Sequence, residues 1–277
     1  AASVQSGEAG IVDVVADEAS VLAQIRELVC MLPSNNEEDG AFEDCTDDLN
    51  RTCAEIEGCV GDTSIALSQL ADNGAVFEVK AAYAKEMVTA FIRLNGTTVG
   101  AVANRSEVYV EDGKVTDKFE AVLTPAGCEK AADFINFCDA FNIPVLSLTN
   151  VKGFKADKCS EKKIAKAAAK LTYAFANATV PKVNVVIGQA FGSAYVAMNS
   201  KAIGADITMA WPDAQIGTMD AGLAAKIICD GQGAEAIATC AKEYAALQTS
   251  AQSAAGRGYV DQIIKPADTR KYVIGAF

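Results

Sequence analysis

The chain has no histidine among its 277 residues, and this absence removes several kinds of catalytic site at once. Zinc sites built on imidazole, Ser-His-Asp triads and Cys-His pairs all need that side chain. An enzyme with this sequence must therefore rely on backbone N–H groups, carboxylates, lysine or a cofactor. No metal site is predicted.

Other absences narrow the class of protein further. No run of 18 apolar residues occurs, so no transmembrane helix is predicted, and no signal peptide is visible. The net charge of −12 argues against a nucleic-acid partner, because phosphate would be repelled. The nine cysteines include no C-x-x-C pair, and free, mostly buried thiols in a reducing cytoplasm are expected.

Half of the residues are apolar, and their spacing predicts an α/β fold. The Asn95-Gly96 pair between two apolar runs predicts a β-hairpin over residues 88–103. Helical spacing predicts helices at 18–32, 126–142 and 161–178. Short β-branched runs predict buried strands at 144–148, 183–187 and 207–210. A strand followed by a helix is expected at 77–87, and a loop at 107–116.

The stretch at residues 183–201 combines a short apolar strand, two glycines and a helix-compatible segment. Gly188 and Gly192 permit a tight turn, and the helix is expected to begin near Ser193. The first N–H groups of a helix have no intrahelical acceptor, so those of Ser193 and Ala194 could stabilise an oxyanion in a pocket. The competing interpretation is an ordinary βα turn, because glycine-rich turns of this kind are common.

The block at residues 180–217 resembles the carboxyltransferase family of biotin-dependent acyl-CoA carboxylases and decarboxylases. It has a valine-proline-lysine strand, a turn similar to glycine-glycine-alanine-tyrosine at Gly192, a methionine-bearing helix and an alanine-tryptophan-proline segment at Trp211. Six further blocks agree in the same order: 32–36, 47–51, 91–96, 99–104, 134–144 and 257–261. The sequences of these blocks are similar to those of acyl-CoA carboxylase β subunits and methylmalonyl-CoA decarboxylase α subunits.

The resemblance implies a crotonase-like (ClpP/crotonase) ββα spiral and carboxyl transfer between biotin and an acyl-CoA of malonyl or methylmalonyl type. The biotin would be held by a biotin carboxyl carrier protein, and no metal would be needed. Because the family shares its site between subunits, a homo-oligomer is implied: a dimer, a tetramer or a trimer of dimers. The alanines at 165–169 and 174–178 would face a second subunit or pack within the chain. A membrane decarboxylase subunit, the acyl group and the direction of transfer stay open.

The resemblance also divides the chain into three parts. Residues 1–32 would close an N-terminal carboxyltransferase domain, with a strand at 6–15, and that domain would hold the oxyanion hole for the thioester enolate. Residues 33–75 are polar and acidic and are expected to form a linker with short helices, one at 63–72. Residues 76–277 would be the C-terminal carboxyltransferase domain. We therefore expect the chain to be the C-terminal portion of a longer polypeptide.

By resemblance, the backbone N–H groups of Ser193 and Ala194 would form the oxyanion hole for the biotin ureido group. The residues expected to contact substrate or biotin are Gly192, Tyr195, Val196, Asn104, Gly153 and Phe154. Ordinary structural roles compete with these assignments, since an asparagine at a strand end often forms a turn and a phenylalanine often packs in the core.

Three positions depart from the family pattern near the expected biotin pocket. Lys152 replaces a proline, Ala168 a glycine, and Ser193 the second glycine of the turn. These departures keep open a second class of protein, a non-catalytic crotonase-fold scaffold. A third class, a crotonase-fold CoA hydratase or isomerase, needs glutamates aimed at the acyl carbons, and residues 188–220 contain none.

Overall fold

The structure is a computed structural model that describes residues 1–110 and 113–277. In these residues eight strands form one mixed sheet. The strands in chain order are β1 (Val76–Glu78), β2 (Met87–Leu94), β3 (Thr97–Asn104), β4 (Glu107–Tyr109), β5 (Val115–Lys118), β6 (Val145–Val151), β7 (Lys182–Phe191), β8 (Ile207–Ala210), β9 (Gln215–Gly217) and β10 (Gln262–Ile263). The sheet order is β1-β2-β3-β6-β7-β8-β10, with β9 beside the end of β7, while β4 and β5 form a separate ladder.

The helices cover both faces of this sheet. In chain order they are α1 (Ala2–Gly7), α2 (Glu18–Met31), α3 (Thr63–Leu70), α4 (Pro125–Ala140), α5 (Lys158–Glu161), α6 (Ile164–Asn177), α7 (Gly192–Ala197), α8 (Ala221–Ile228), α9 (Ala234–Tyr244), α10 (Ala251–Gly256) and α11 (Thr269–Ala276). None of the described helices is both long and apolar enough to cross a membrane.

The β2–β3 hairpin confirms the prediction made from Asn95 and Gly96. Both residues have positive φ, 52° and 77°, which suits the two central positions of a tight hairpin turn. Their N–H groups donate to the buried carboxylate of Asp72 at 3.2 and 2.7 Å. The sheet then changes from antiparallel to parallel, because β3 pairs with β6, and β6 with β7, in the same direction.

Helix starts follow local capping signals. Asp17 accepts the N–H of Ser20 at 3.1 Å to begin α2, and Thr124 accepts the N–H of Gly127 at 2.9 Å to begin α4. Helices α2, α4 and α6 and the buried strands β6, β7 and β8 confirm the predicted elements. The short helix predicted at 63–72 is also present and runs over Thr63–Leu70.

Two apolar cores lie on opposite faces of the sheet. The first packs α4 and α6 on the sheet through residues such as Phe91, Ile135 and Leu171. The second packs α3, the segment before it and α11 on the other face through residues such as Leu67 and Trp211. A sheet covered on both faces explains why nearly every residue of β2, β3, β6 and the first part of β7 is buried, rather than every second one.

Four secondary-structure and burial predictions are wrong. Residues 6–15 form no strand, because α1 ends at Gly7 and irregular backbone follows it. Residues 77–87 contain β1 and turns but no helix. The loop expected at 107–116 is instead built on the β4–β5 ladder; residues 111 and 112 of that prediction lie outside the described residues. Only three of the nine free cysteines are buried: Cys53, Cys128 and Cys138.

The alanines at 165–169 and 174–178 are divided between the core and the surface. Ala167, Ala174 and Ala178 are buried against the first core, beside α4. Ala165, Ala169 and Ala176 are exposed. The buried set therefore brings α6 close to its neighbours inside this fold, which was the competing interpretation of the alanine pattern.

Candidate active site

A cleft of about 520 Å³ opens where α7 meets the segment after β9. Its walls come from the start of α7, the turn after it, β9, and the region around α10. The lining residues are Gly192, Ser193, Tyr195, Val196, Ser200, Lys201, Ala202, Ile216, Gly217, Thr218, Tyr244, Gln248, Ala254, Arg257 and Tyr259. The volume lies within the roughly 300–1,000 Å³ of small-molecule sites.

Strand β7 leads directly into this cleft. Its first half pairs with β8, through Val183 to Val186, and its last three residues pair with β9. Gly188 therefore belongs to the strand, and the predicted turn is formed by Gly192 alone. Gly192 has φ +60°, and a Cβ there would lie 3.2 Å from the carbonyl oxygen of Thr218. Both facts explain why glycine is required at this turn.

Helix α7 begins at the cleft. Ser193 is exposed and lines the cleft, whereas the Ala194 side chain is only 1% exposed and points into the core. No side chain among the described residues caps this helix start, whose N-cap is Phe191. The first N–H groups of α7 therefore have no intrahelical acceptor and no side-chain cap. The predicted arrangement of Ser193 and Ala194 at a helix start is present.

A buried polar seam holds the other end of α7. We define it by Ser147 and Thr149 on β6, Asn184 on β7, and Asn199 after the helix. Thr149 donates to Asn184 Oδ1 at 2.8 Å, and Asn184 Nδ2 donates to the Met198 carbonyl at 3.3 Å. Asn199 Nδ2 donates to Ser147 Oγ at 2.9 Å. These contacts fix the position of α7 relative to the sheet.

Tyr195 carries a polar group that has no partner in the described part of the chain. The residue lines the cleft and is 8% exposed, and its hydroxyl oxygen is buried without a hydrogen bond. Burial, with a smaller effect of Tyr259, raises the pKa of Tyr195 to about 12. The hydroxyl is therefore protonated at neutral pH and is available as a hydrogen-bond donor.

Charged side chains lie at the rim of the cleft. Lys201 pairs with Asp261, and Asp261 also accepts the N–H of Thr208 at 2.8 Å. Arg257 donates to the side-chain oxygen of Gln248 at 2.6 Å. None of the described residues that line the cleft is an aspartate or a glutamate. In the described residues no cluster of three potential metal ligands is present either.

The structure does not bring all predicted site residues together. Gly192, Ser193, Tyr195 and Val196 line the cleft, whereas Asn104, Gly153 and Phe154 do not. Asn104 is 6% exposed at the end of β3, and its Oδ1 accepts the N–H of Asn150 at 3.1 Å.

Gly153 and Phe154 lie in a short bridge beside Leu123. The N–H of Leu123 donates to the Gly153 carbonyl at 2.9 Å, and Phe154 packs against the first core. Their direct contact with a ligand stays a prediction.

One departure from the family pattern, at Lys152, makes a contact that the family residue could not make, whereas the contact at Ala168 involves only its backbone. The N–H of Lys152 donates to the carbonyl of Ala121 at 2.8 Å, a bond that proline could not make. The carbonyl of Ala168 accepts the Thr172 hydroxyl at 2.9 Å within α6. Neither residue lines the cleft.

The far wall of the cleft was not predicted from the sequence. It is formed by three separate segments after α7, which contribute Ile216 and Thr218, Tyr244 and Gln248, and Tyr259. No local spacing connects them, since they meet only through tertiary packing. Two of the blocks that resemble the family each include one of them, Ile216 in 180–217 and Tyr259 in 257–261.

The parallel strands, the short strand β9 paired to the end of β7, and the helix start at the cleft define a crotonase-like α/β protein. The chain belongs to the carboxyl transferase domain family, which matches residues 1–277.

Two curated relatives illustrate the similarity. The chain is 38% identical to the methylmalonyl-CoA carboxyltransferase 12S subunit of Propionibacterium freudenreichii subsp. shermanii, covering 94% of this chain and 50% of that protein. It is 36% identical to the methylmalonyl-CoA decarboxylase subunit alpha of Propionigenium modestum, covering 94% and 51%. The chain therefore spans about half the length of the curated relatives it matches.

A solved structure agrees in fold. The chain superimposes on a transcarboxylase 12S crystal structure, described as a hexamer assembly with hydrolysed methylmalonyl-coenzyme A bound, with a TM-score of 0.89. The two share 36% identity over 99% of this chain and 54% of that one. This similarity confirms the predicted crotonase-like fold.

Proposed function

We propose that this chain forms part of a carboxyltransferase that moves a carboxyl group between biotin on a carrier protein and an acyl-CoA of malonyl or methylmalonyl type. The observation that carries the proposal is the uncapped start of α7 beside Ser193, which opens into the cleft. Membership of the carboxyl transferase domain family over 1–277 supports it.

The cleft fits the biotin ring system in size and chemistry. It is lined by apolar and aromatic groups such as Val196, Ile216 and Tyr259, which suit an uncharged bicyclic ring. The unpartnered hydroxyl of Tyr195 offers a donor for a polar group of a ligand. Biotin supplies a ureido nitrogen that accepts and releases the carboxyl group. Backbone at Gly192 and Ser193, together with Tyr195 and Val196, would hold it.

The residues of the chain stabilise charge rather than move protons. The N–H groups of Ser193 and Ala194 donate to the oxygen on which negative charge develops. Because the polar seam and the β7–β9 pairing fix these donors in advance, no reorganisation is needed during the reaction. Tyr195 stays neutral at physiological pH, since its pKa is raised to about 12.

The acyl group is recognised by groups beside this turn. Val196 is half-buried in the cleft and presents an apolar side chain next to Tyr195. We propose a homo-oligomer in which a second subunit supplies the opposite part of the site, including the oxyanion hole for the thioester. The hexamer described for the transcarboxylase 12S structure supports an oligomer of this kind.

A hydratase or isomerase function is less favoured by the cleft. Such chemistry needs a carboxylate near the acyl carbons, and the described lining residues include none. A scaffold without activity is also less favoured, because the Ser193 substitution leaves the backbone N–H in place.

The test is carboxyl transfer by the complete protein. Methylmalonyl-CoA or malonyl-CoA labelled at the free carboxyl carbon is mixed with the protein and with free biotin or a biotinylated carrier protein. We expect label to appear on biotin. Hydration of an enoyl-CoA, measured as loss of its ultraviolet absorbance, would favour the hydratase alternative. Inactivity in both assays would favour the scaffold.

Two substitutions at one position test the proposed donors. Ser193→Pro removes the N–H while proline remains acceptable in the first turn of a helix. Loss of one such donor is expected to lower kcat by roughly 10²- to 10³-fold. Ser193→Gly keeps the N–H and should retain most of the activity. Equal activity in the two variants would contradict the assignment.

A further inference from the structure

We propose that Asn150 is a positioning residue that sets the direction of the turn at Gly192 and so places the N–H groups of Ser193 and Ala194. The inference rests on the proposed function, because it concerns the same oxyanion-stabilising turn. Asn150 lies near the carboxyl end of β6 and does not line the cleft. It therefore acts through the backbone of β7.

The pairing of β6 with β7 breaks at Asn150. Thr149 lies opposite Val186, and Val151 lies opposite Ala190. Asn150 alone therefore opposes the three residues from Ile187 to Gln189. Such a bulge bends the strand and increases its twist, and it leaves backbone groups without ladder partners. In this position it redirects the end of β7 from β8 towards β9.

The Asn150 side chain fills this break in the ladder. Its Oδ1 accepts the N–H of Gln189 at 2.9 Å. Its own backbone N–H donates to Asn104 Oδ1 at 3.1 Å, and Asn104 Nδ2 contacts Met198 Sδ at 3.8 Å. The two asparagines thus connect Gln189, before α7, with Met198, directly after it.

Gly188 confirms how closely this side chain approaches the strand. A Cβ on Gly188 would lie 2.6 Å from Asn150 Oδ1 and 2.9 Å from its Cγ. Gly188 does not have positive φ, so the close approach of Asn150, and not backbone conformation, explains glycine at this position. Strand β7 therefore has a glycine where the Asn150 amide packs on its backbone.

Removal of the amide leaves the Gln189 N–H without its acceptor. Gln189 is only four residues before Ser193, and Ala190 and Phe191 between them pair with β9. The last residues of β7 are then free to shift along β9, and such a shift changes the direction of the N–H groups of Ser193 and Ala194. A displacement of about 1 Å at a catalytic group can lower the rate by roughly 10²-fold.

The experiment compares Asn150→Ala with Asn150→Asp in the complete protein. We expect Asn150→Ala to lower kcat for carboxyl transfer by roughly 10- to 100-fold with KM for the acyl-CoA unchanged, since the donors act in the transition state. Asn150→Asp keeps an oxygen acceptor and should restore most of kcat. Hydrogen exchange of the Gln189 amide should accelerate in Asn150→Ala and return to the wild-type rate in Asn150→Asp.

Val145→Ala is the matched control, because Val145 is buried at the opposite end of the same strand. An equal loss of kcat in this control at equal loss of thermal stability would overturn the proposal, as would wild-type kcat or unchanged Gln189 exchange in Asn150→Ala. Gly188→Ala, which displaces the amide without deleting it, should reproduce the loss of kcat; wild-type kcat and exchange there would also overturn it.

Failure of this inference is distinguishable from failure of the proposed function. The exchange rate of the Gln189 amide reports on the position of the strand whether or not the protein transfers carboxyl groups. If the wild-type protein transfers none, the proposed function fails, and the exchange measurement alone decides whether Asn150 positions β7.

Discussion

Gly192→Ala should reduce both stability and carboxyl transfer, and its two effects can be separated. Gly192 has φ +60°, a left-handed conformation that costs an ordinary residue about 1–2 kcal/mol. The added Cβ would also lie 3.2 Å from the Thr218 carbonyl oxygen, so β9 or α7 must move by a few tenths of an ångström. We expect a loss of about 1–2 kcal/mol in the free energy of unfolding from the backbone alone.

The expected loss of activity depends on which residues move to relieve the strain at position 192. Gly192 immediately precedes Ser193, so the shift moves the proposed donors, and a loss of up to roughly 10²-fold in kcat is expected. Gly74→Ala is the matched control. Gly74 has φ +72° and does not line the cleft, and a Cβ there would meet only the Ser68 carbonyl at an ordinary 3.6 Å. Gly74→Ala should therefore cost similar stability without loss of activity.

Denaturant unfolding of both variants measures the loss of stability, and a labelled-carboxyl assay of both variants measures the loss of activity. Full activity in Gly192→Ala at the expected loss of stability would refute the link between this turn and catalysis. Unchanged stability in both variants would refute the strain argument itself.

Three further predictions concern stability and reactivity. Arg270→Met should lower the free energy of unfolding by about 3–5 kcal/mol, because it leaves the buried Asp72 carboxylate without the guanidinium that contacts it at 2.7 Å. Arg26→Met, at an exposed position, is the control, and an equal loss of stability in the two variants would contradict this prediction. The pKa of Asp47 is lowered from 3.8 to about 2, chiefly by the Arg51 side chain, so its stabilising effect should be complete above about pH 4 and lost as the pH falls towards 2. Asp47→Asn should flatten that part of an unfolding-versus-pH profile, and an unaltered slope would count against the pairing. Burial raises the pKa of the Cys128 and Cys138 thiols, that of Cys128 to about 12, so peptide mass spectrometry should find neither alkylated by iodoacetamide at neutral pH until the protein is unfolded; labelling of the native protein would reveal local opening.

Sequence patterns predicted the elements whose signals are local. The Asn95-Gly96 turn needs positive φ at both residues, which asparagine and glycine provide, and the hairpin follows from them. Helix α4 has Thr124 as its cap, Pro125 at its first position and a regular apolar stripe. These features depend on neighbours in the chain, and no tertiary contact has to be known to infer them.

The errors arose where distant residues decide the structure. Gly188 was expected in a turn, but it lies within β7, where the close approach of Asn150, 38 positions away, leaves no room for a side chain. The far wall of the cleft, from Ile216 to Tyr259, depends on how three segments pack around α7. The start of α7 was predicted because a short apolar strand, a glycine turn and a helix-compatible segment follow one another locally. The residues that face α7 across the cleft could not be predicted from local sequence.

The polar seam around Asn184 has a consequence for the uniqueness of the fold rather than its stability. An all-apolar junction between β6, β7 and α7 could satisfy the hydrophobic effect with the helix rotated or advanced by one turn. Hydrogen bonds to the Met198 carbonyl and from Asn199 to Ser147 exist in one arrangement only. A fully apolar seam would therefore yield several helix registers of similar free energy, whereas the polar one selects a single register at the cleft.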